Sequence, residues 1–412
     1  MELDLNFVHK HFPQTRDYPD VVFCANAGGS FVAQPVLDIF EHFNRHTRVQ
    51  PYSNFTPSRE AGEAMTRARR LWAEALNISE AELTIGPSTS MSTYVMSQAI
   101  GHQLQPGDEI ILSQQDHEAN YGAWQRKAEE RGATVREWPI DPETGLLDPE
   151  ALYPLLSEKT RWVFFTHCSN VIGTVNPVKA IVDKIHASCN ARIGVDAVAY
   201  APHHIPDLKD LGVDLYLFSL YKVFGPHQGI LYLSSDLQAS LQPQSHYFLV
   251  DDTVKRFNPA GPQHGEVAAA AGVLDYFSAL IDHQEIARTG NLNADLQQLY
   301  SVIADHEKNL AAPILDYLQH SNLTRLLGKP HCNDNDRAAT IAFKPTNQSS
   351  AAVVKKMQAA GIGTENGHFY ARRVLKNLNI DQDDGIVRIS LVHYNTPADV
   401  EKILSALDQA LQ

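Results

Sequence analysis

Cysteine is scarce: Cys24, Cys168, Cys189 and Cys332 are the only four in 412 residues, and none forms a C-x-x-C pair. That removes a zinc ribbon and a redox dithiol from consideration and leaves small buried thiols as the reading for most of them. Long apolar runs are missing too, so no segment is expected to span a bilayer. The opening residues, Met1-Glu2-Leu3-Asp4-Leu5-Asn6, lack the basic start and apolar core of a secretory signal, and a cytoplasmic location is the expectation. Positive charge is in deficit, with 34 Lys and Arg against 48 Asp and Glu and a net charge of −14. This argues against nucleic acid or an anionic membrane as partner, while leaving room for a local positive pocket. Internal repeats, low-complexity tracts and long linkers are absent. Histidine is plentiful at 19 residues, and His203-His204 invites a metal reading. Adjacent side chains point apart, however, and no Cys or carboxylate sits at ligand spacing, so no metal is expected.

What is present is the composition of an ordinary globular protein, 43% apolar and 20% charged, in a chain long enough for two domains. Period-2 and apolar runs predict strands at Leu83-Ile85, Glu109-Leu112, Thr134-Trp138, Arg161-Thr166, Arg192-Asp196, Leu215-Ser219 and Gly229-Leu233. Helices are expected over Arg59-Leu76, with Ser58 as N-cap, and over Ser90-Ile100 and Glu118-Arg131. Alternating strands and helices make an α/β domain with a mostly parallel sheet. From about residue 284 the pattern changes. A long helix around Leu292-Gln319 precedes strands at Ala339-Phe343 and Ile386-Leu391 and helices at Ser349-Ala360 and Pro397-Leu411. Thr396, Pro397 and Asp399 form a strong start signal for the last of these. The expectation is a large domain over 21–283 and a small α+β domain over 284–412.

The most informative stretch is Phe218-Ser219-Leu220-Tyr221-Lys222-Val223-Phe224-Gly225-Pro226. A lysine follows an apolar strand and precedes a Gly-Pro break, so its ammonium lies where desolvation lowers the amine pKa and suits it to a Schiff base. A strand-end lysine that snorkels to solvent is the plainer alternative. Asp196 ends another apolar strand 26 residues earlier (222 − 196), and Asn170 follows a third after the same interval (196 − 170). Ligand sites in open α/β sheets lie outside the carboxyl ends of the strands, so Asn170, Asp196 and Lys222 are expected to converge on one crevice. A lysine for an aldehyde and an aspartate for a pyridinium nitrogen are what pyridoxal phosphate chemistry requires of a protein.

Four segments, Asp116-His117-Glu118-Ala119-Asn120, His167 to Pro177, Val195-Asp196-Ala197-Val198-Ala199 and Ser219 to Pro226, stand in the order and near the spacing of the class V aminotransferase and cysteine desulfurase group of pyridoxal phosphate enzymes. The chain resembles that family from about residue 20 almost to its end. The resemblance implies an aspartate-aminotransferase-like large domain and a small α+β domain with which residues 1–20 pack. It also implies a homodimer with active sites at the interface, pyridoxal 5'-phosphate as cofactor and an amino acid as substrate.

It assigns roles residue by residue. Ser88 and Thr89, in Gly86-Pro87-Ser88-Thr89-Ser90, would contact phosphate at a helix start, where simple capping is the alternative. Ser219 would add a second hydroxyl. His117 would stack on the cofactor ring, and Asn170 would hold the ring hydroxyl. Asp196 would keep the pyridine nitrogen protonated. Lys222 would carry the cofactor and later move the α-proton. Arg388 would grip the substrate carboxylate. Asn26, Gly28 and Gly29 form a turn that faces substrate in relatives, and Arg59 is a candidate for a second anionic group. The chain also departs from the family. The partner-subunit threonine falls at Gly261, with His264 a possible substitute. The ring-hydroxyl glutamine falls at Ala199, and Tyr221 replaces the usual histidine before Lys222.

Cysteine desulfurases require a thiolate on a mobile loop. In Gly363 to Arg373 that position falls at Tyr370, and none of the four cysteines lies in the segment. The expectation is therefore a cysteine desulfurase-like carbon–sulfur lyase without persulfide chemistry, in which Tyr370, His368 and Arg372 shape the side-chain pocket. A class V aminotransferase is the alternative, and a catalytically silent relative that binds cofactor or a partner is a third reading.

Overall fold

A computed structural model describes residues 2–259, 261–332 and 336–412. A long helix, α1 (Thr56–Ala75), leads into β1 (Leu83–Gly86) and α2 (Thr89–Gly101). Then come β2 (Glu109–Ser113), α3 (Gly122–Arg131), β3 (Thr134–Trp138), β4 (Thr160–Thr166), α4 (Val178–Ser188), β5 (Arg192–Asp196), β6 (Leu215–Ser219) and β7 (Gly229–Leu233). These strands form one seven-stranded sheet in the order β1-β7-β6-β5-β4-β2-β3. The five strands β2 to β6 run parallel, and β7 is antiparallel to both of its neighbours. The α/β class and the mostly parallel mixed sheet are as expected, and all seven predicted strands form. β6 and β7 are buried throughout, as strands covered on both faces must be.

After α5 (Ala271–His283) and α6 (Leu292–His320), a four-stranded antiparallel sheet is built from β8 (Thr324–Leu327), β9 (Thr340–Pro345), β10 (Glu365–Gly367) and β11 (Ile386–Ser390), in the order β10-β11-β9-β8. Two helices, α7 (Ser350–Ala359) and α8 (Pro397–Leu411), cover it, around a core that includes Ile341, Phe343, Ile389, Ile403 and Leu407. Thr396 caps α8 through a reciprocal capping box with Asp399.

The two cores do not separate at residue 284. Leu296, Leu299 and Ile303 of α6 belong to the large core, whereas Leu310, Ile314, Leu315 and Leu318 of the same helix belong to the small one. One uninterrupted helix thus serves both units. The N-terminal segment also bridges. Its Phe12 packs edge-on to Phe224 at 5.6 Å and Tyr276 at 5.2 Å in the large core, and its His9 Nε2 lies 2.8 Å from the Tyr394 carbonyl. One expected cap fails. α1 begins at Thr56 with Pro57 at its second position, and Ser58 lies inside it, where its buried hydroxyl donates to the Gln50 carbonyl at 2.6 Å.

Burial holds four histidines neutral. His117 is pushed down to about 4 and His204 to about 3, and His167 and His393 lie well below the usual imidazole range. An unfolded chain takes up these protons below pH 6.5, so the stability they represent is present above 6.5 and lost as the pH falls towards 4. The buried carboxyls of Asp116 and Asp196 are raised and act in the opposite sense, two groups against four. Denaturant midpoints measured at pH 7, 5.5 and 4.5 are expected to fall monotonically.

Candidate active site

The parallel strands deliver their side chains to one edge. β6 ends at Ser219, and a single 3₁₀ turn over Leu220–Lys222 aims Lys222 back across the strand ends. Two features hold that turn. Ser30 donates its amide to the Tyr221 carbonyl at 3.0 Å and accepts the Phe224 N–H on its hydroxyl at 2.9 Å. Phe224 takes a left-handed φ of 60°, a strained backbone for a side chain of that bulk. Lys222 is 7% exposed, and its Nζ has no hydrogen bond or ion pair among the described residues. Burial first, and the Arg388 charge second, push its amine down to about 8, against a smaller upward pull from Asp196.

Around this amine lies a cavity of about 170 Å³ lined by Ser88, Thr89, His117, Asn170, Asp196, Ser219 and Lys222, together with Thr166, Ala199 and His227 among others. Seven of the eight residues expected to hold the cofactor therefore meet in one place. At one end is a hydroxyl cradle. Ser88 caps α2 by accepting the Met91 N–H at 3.2 Å, and Thr89 Oγ1 lies 2.7 Å from Ser219 Oγ. The cradle closes only because β7 carries Gly229 here: a Cβ would lie 2.7 Å from the Ser88 carbonyl carbon and 2.8 Å from the Thr89 nitrogen.

At the opposite end Asp196 accepts the Val198 N–H at 2.9 Å. Burial raises its carboxyl to about 6, and no cation of the described protein lies within ion-pair distance. His117 is both a cap and a cavity wall. Its Nδ1 accepts the Ala119 N–H at 3.0 Å, which leaves the ring proton on Nε2. Asp116 beside it is buried and raised to about 8, and it ties Ser113 at the end of β2 to the Asn120 amide.

Arg388, on β11 of the small sheet, is buried and does not line the cavity, but its charge acts on Lys222 and His117. Its Nη1 donates to the Asn170 carbonyl at 2.9 Å, and its guanidinium carbon lies 3.6 Å from the centre of the Phe369 ring. Gly28 stands beside it; a Cβ there would lie 3.8 Å from Arg388 Nη2. Gly29 faces the Tyr221 ring, which stacks on His227 at 4.7 Å. Tyr370 is 68% exposed and lies over His117, ring centres 5.3 Å apart.

Three expected contacts are not made within this chain. Asn26 is 2% exposed, and its amide is occupied by the Ser390 carbonyl at 2.8 Å, by Asn395 and by the Tyr394 hydroxyl, so it joins the turn to the small domain instead of facing a ligand. Arg59 is half-exposed on α1 beside Glu63 at 3.7 Å. His264 lines a separate cavity of about 580 Å³ with Tyr52, Arg69, Lys255 and Gly261. Sequence reasoning missed Ser30, His227 and Phe369. Of these only Phe369 lay in a segment already under scrutiny.

The class V aminotransferase family model matches residues 22–403. The chain belongs to this family of pyridoxal phosphate-dependent enzymes. Among its relatives is an aminotransferase-like protein of Gibberella zeae, 36% identical over 396 residues that cover 95% of this chain and 94% of that one. A cysteine desulfurase-like protein of Aspergillus flavus is 29% identical over 99% of this chain and 90% of its own length. The fold is shared with the crystal structure of an Escherichia coli cysteine desulfurase at a TM-score of 0.83, with 24% identity, covering 100% of this chain and 99% of that one.

The cavity fits the family's cofactor on its own terms. It brings together an unpartnered buried amine, a buried carboxylate without a cation and a cradle of hydroxyls at a helix start. Those groups match an aldehyde, a ring nitrogen and a phosphate. The loop at residues 363–373 carries no cysteine. Cys168 reaches the cavity wall, but burial pushes its thiol up to about 12 and its Sγ rests 3.5 Å from the Gly173 carbonyl. Cys332 is buried against Arg337, and its thiol is raised as well.

Proposed function

We propose that this chain binds pyridoxal 5'-phosphate in the Lys222 cavity and acts on an amino acid as a carbon–sulfur β-lyase that needs no persulfide cysteine. The observation that carries the reading is the buried, unpartnered Lys222 amine facing a cavity that also holds Asp196 and the Ser88–Thr89–Ser219 hydroxyls. Lys222 holds the cofactor's aldehyde, Asp196 its ring nitrogen, Asn170 its ring hydroxyl and the three hydroxyls its phosphate. Once bound, the cofactor supplies an electron sink for the bonds at the substrate Cα.

The protein's own groups do the rest. Arg388 grips the substrate carboxylate and so orients the Cα–H bond. Lys222, half of it neutral near pH 8, serves as the base for the α-proton. Neutral His117 presents a flat face without adding charge, and Tyr370 covers the mouth. The loop that carries a cysteine in desulfurases offers Tyr370 at the matching position, which supports elimination over sulfur transfer to the protein.

A second reading, transamination, is supported by the aminotransferase-like relative at 36% identity. A homodimer fits both readings. Tyr247 and Phe248 are 97% and 83% exposed close to the second cavity, and a second copy seated there would bring Gly261 and His264 to its neighbour's phosphate cradle. No helix among the described residues is long and apolar enough to cross a membrane. A cytoplasmic location remains part of this proposal.

Product analysis separates the readings. With cysteine or cystine, pyruvate and ammonia are expected; alanine with released sulfur marks a desulfurase, and keto acid-dependent turnover marks an aminotransferase. Loss of all three with the cofactor fully bound would identify a silent relative and overturn the lyase reading.

A further inference from the structure

The guanidinium of Arg388 is buried, has no carboxylate of the described residues within ion-pair distance although the Glu365 charge acts on it, and makes two close contacts: the Asn170 carbonyl at 2.9 Å and the face of the Phe369 ring at 3.6 Å. Phe369 does more than cover it. Its carbonyl accepts the Asn170 side-chain amide at 2.9 Å, so Arg388, Asn170 and Phe369 close a three-membered circuit. The backbone that makes this possible is unusual. Phe369 and its neighbour Tyr370 take left-handed φ values of 48° and 60°, and neither is glycine. The loop is fastened on its far side by the Glu118 N–H to the Tyr370 carbonyl at 2.8 Å and by Arg373 to Glu118 at 2.6 Å. Two consecutive strained residues persist only where their surroundings over-determine them. Here the result is an aromatic face against a guanidinium whose one in-plane hydrogen bond, from Nη1, goes to the Asn170 carbonyl.

We infer that Phe369 is a positioning residue: its ring sets the plane of Arg388 for a substrate carboxylate, and its carbonyl locks Asn170 to the same loop. The inference rests on the reading of Arg388 as the carboxylate-binding group. It does not depend on which bond is broken afterwards, because every α-amino acid presents the same carboxylate. A ring face on a guanidinium leaves both edge N–H groups available, which a competing carboxylate partner would not.

The test uses holoenzyme titrated spectroscopically with L-alanine and with ethylamine, which lacks the carboxylate. Wild type is expected to bind alanine more tightly than ethylamine. Phe369→Leu is expected to weaken alanine about tenfold and leave ethylamine unchanged, whereas Phe369→Tyr, which keeps the ring, stays within about twofold of wild type. In the apoprotein, modification of Arg388 by phenylglyoxal, followed by peptide mass spectrometry, is expected to be several-fold faster in Phe369→Leu than in wild type or Phe369→Tyr. If Phe369→Leu does not fold, Phe369→Met is read the same way. Arg388→Ala separates the two levels of the argument. Should Arg388→Ala bind alanine as wild type does, or should wild type show no preference for alanine, the carboxylate reading fails and this inference with it. Should Arg388→Ala weaken alanine while Phe369→Leu does not, or should Phe369→Tyr lose as much as Phe369→Leu, the positioning role alone is refuted.

Discussion

Lys222→Ala is expected to lower turnover by at least about 10⁴-fold and to leave a colourless protein, because one amine both holds the cofactor and moves the α-proton. No other lysine can take its place. Lys127 is the one other lysine buried to the same degree among the described residues, and its Nζ is engaged by Gln98 at 2.8 Å and Glu130 at 2.6 Å. The substitution is not expected to destabilise the apoprotein. The Lys222 head group makes no hydrogen bond or ion pair among the described residues and lies 5.9 Å from the centre of the Tyr221 ring, so its removal takes away a desolvated charge and leaves no orphaned acceptor behind. A melting temperature equal to or above that of wild type, with activity and colour both gone, is the expected combination. An exogenous small amine such as methylamine should restore part of the proton-transfer rate. A collapse in melting temperature would mean that Lys222 is a structural residue.

Asp196→Asn is expected to lower kcat by about 10²–10⁴-fold with a much smaller change in KM. In the proposed reading this carboxylate would pair with the cofactor's ring nitrogen, so its charge would bear on how well the ring accepts electrons and not on how substrate is held. Asparagine keeps the shape and can still accept the Val198 N–H. The same substitution makes an opposite prediction for the apoprotein. The folded carboxyl is raised by burial to about 6 from 3.8, so the fold binds its proton more tightly than the unfolded chain does. Stability from this group is therefore present at acid pH and lost as the pH rises through about 6. Above that pH Asp196 costs on the order of 3 kcal/mol. Asp196→Asn apoprotein should be more stable than wild type at pH 8 and no more stable at pH 4, as read by chemical denaturation. Cofactor binding should cancel the difference in wild type by supplying the missing cation.

The cavity was legible in the sequence because its residues sit at fixed places on regular elements. Asp196 and Ser219 end parallel strands, Asn170 and Lys222 follow the ends of two, and apolar runs mark those strands plainly. Ser88 and Thr89 carry a helix-start signal that capping and phosphate binding share, and the structure shows the cap directly. What could not be read depends on contacts between distant segments. Asn26 sits in a Gly-containing turn that looks like a ligand loop, yet its amide is consumed 364 residues away at Ser390. Arg59 sits on α1 beside Glu63 and His264 lines a separate cavity, placements that no local pattern announces. Phe369 has no motif, and its contacts run to Asn170 and Arg388 on other elements. No signal in the sequence marks where one core gives way to the other, because the apolar periodicity of α6 continues unbroken while the core it faces changes. Pro57 marks the true start of α1, which places Ser58 inside the helix and not at its cap.

Borohydride reduction of the protein incubated with pyridoxal 5'-phosphate, followed by digestion and mass spectrometry, addresses the assignment of Lys222 most directly. The account predicts one stoichiometric reduced adduct, on the peptide that carries Lys222, and its absence in Lys222→Ala. An adduct spread over surface lysines, or one centred on a different residue, would contradict it.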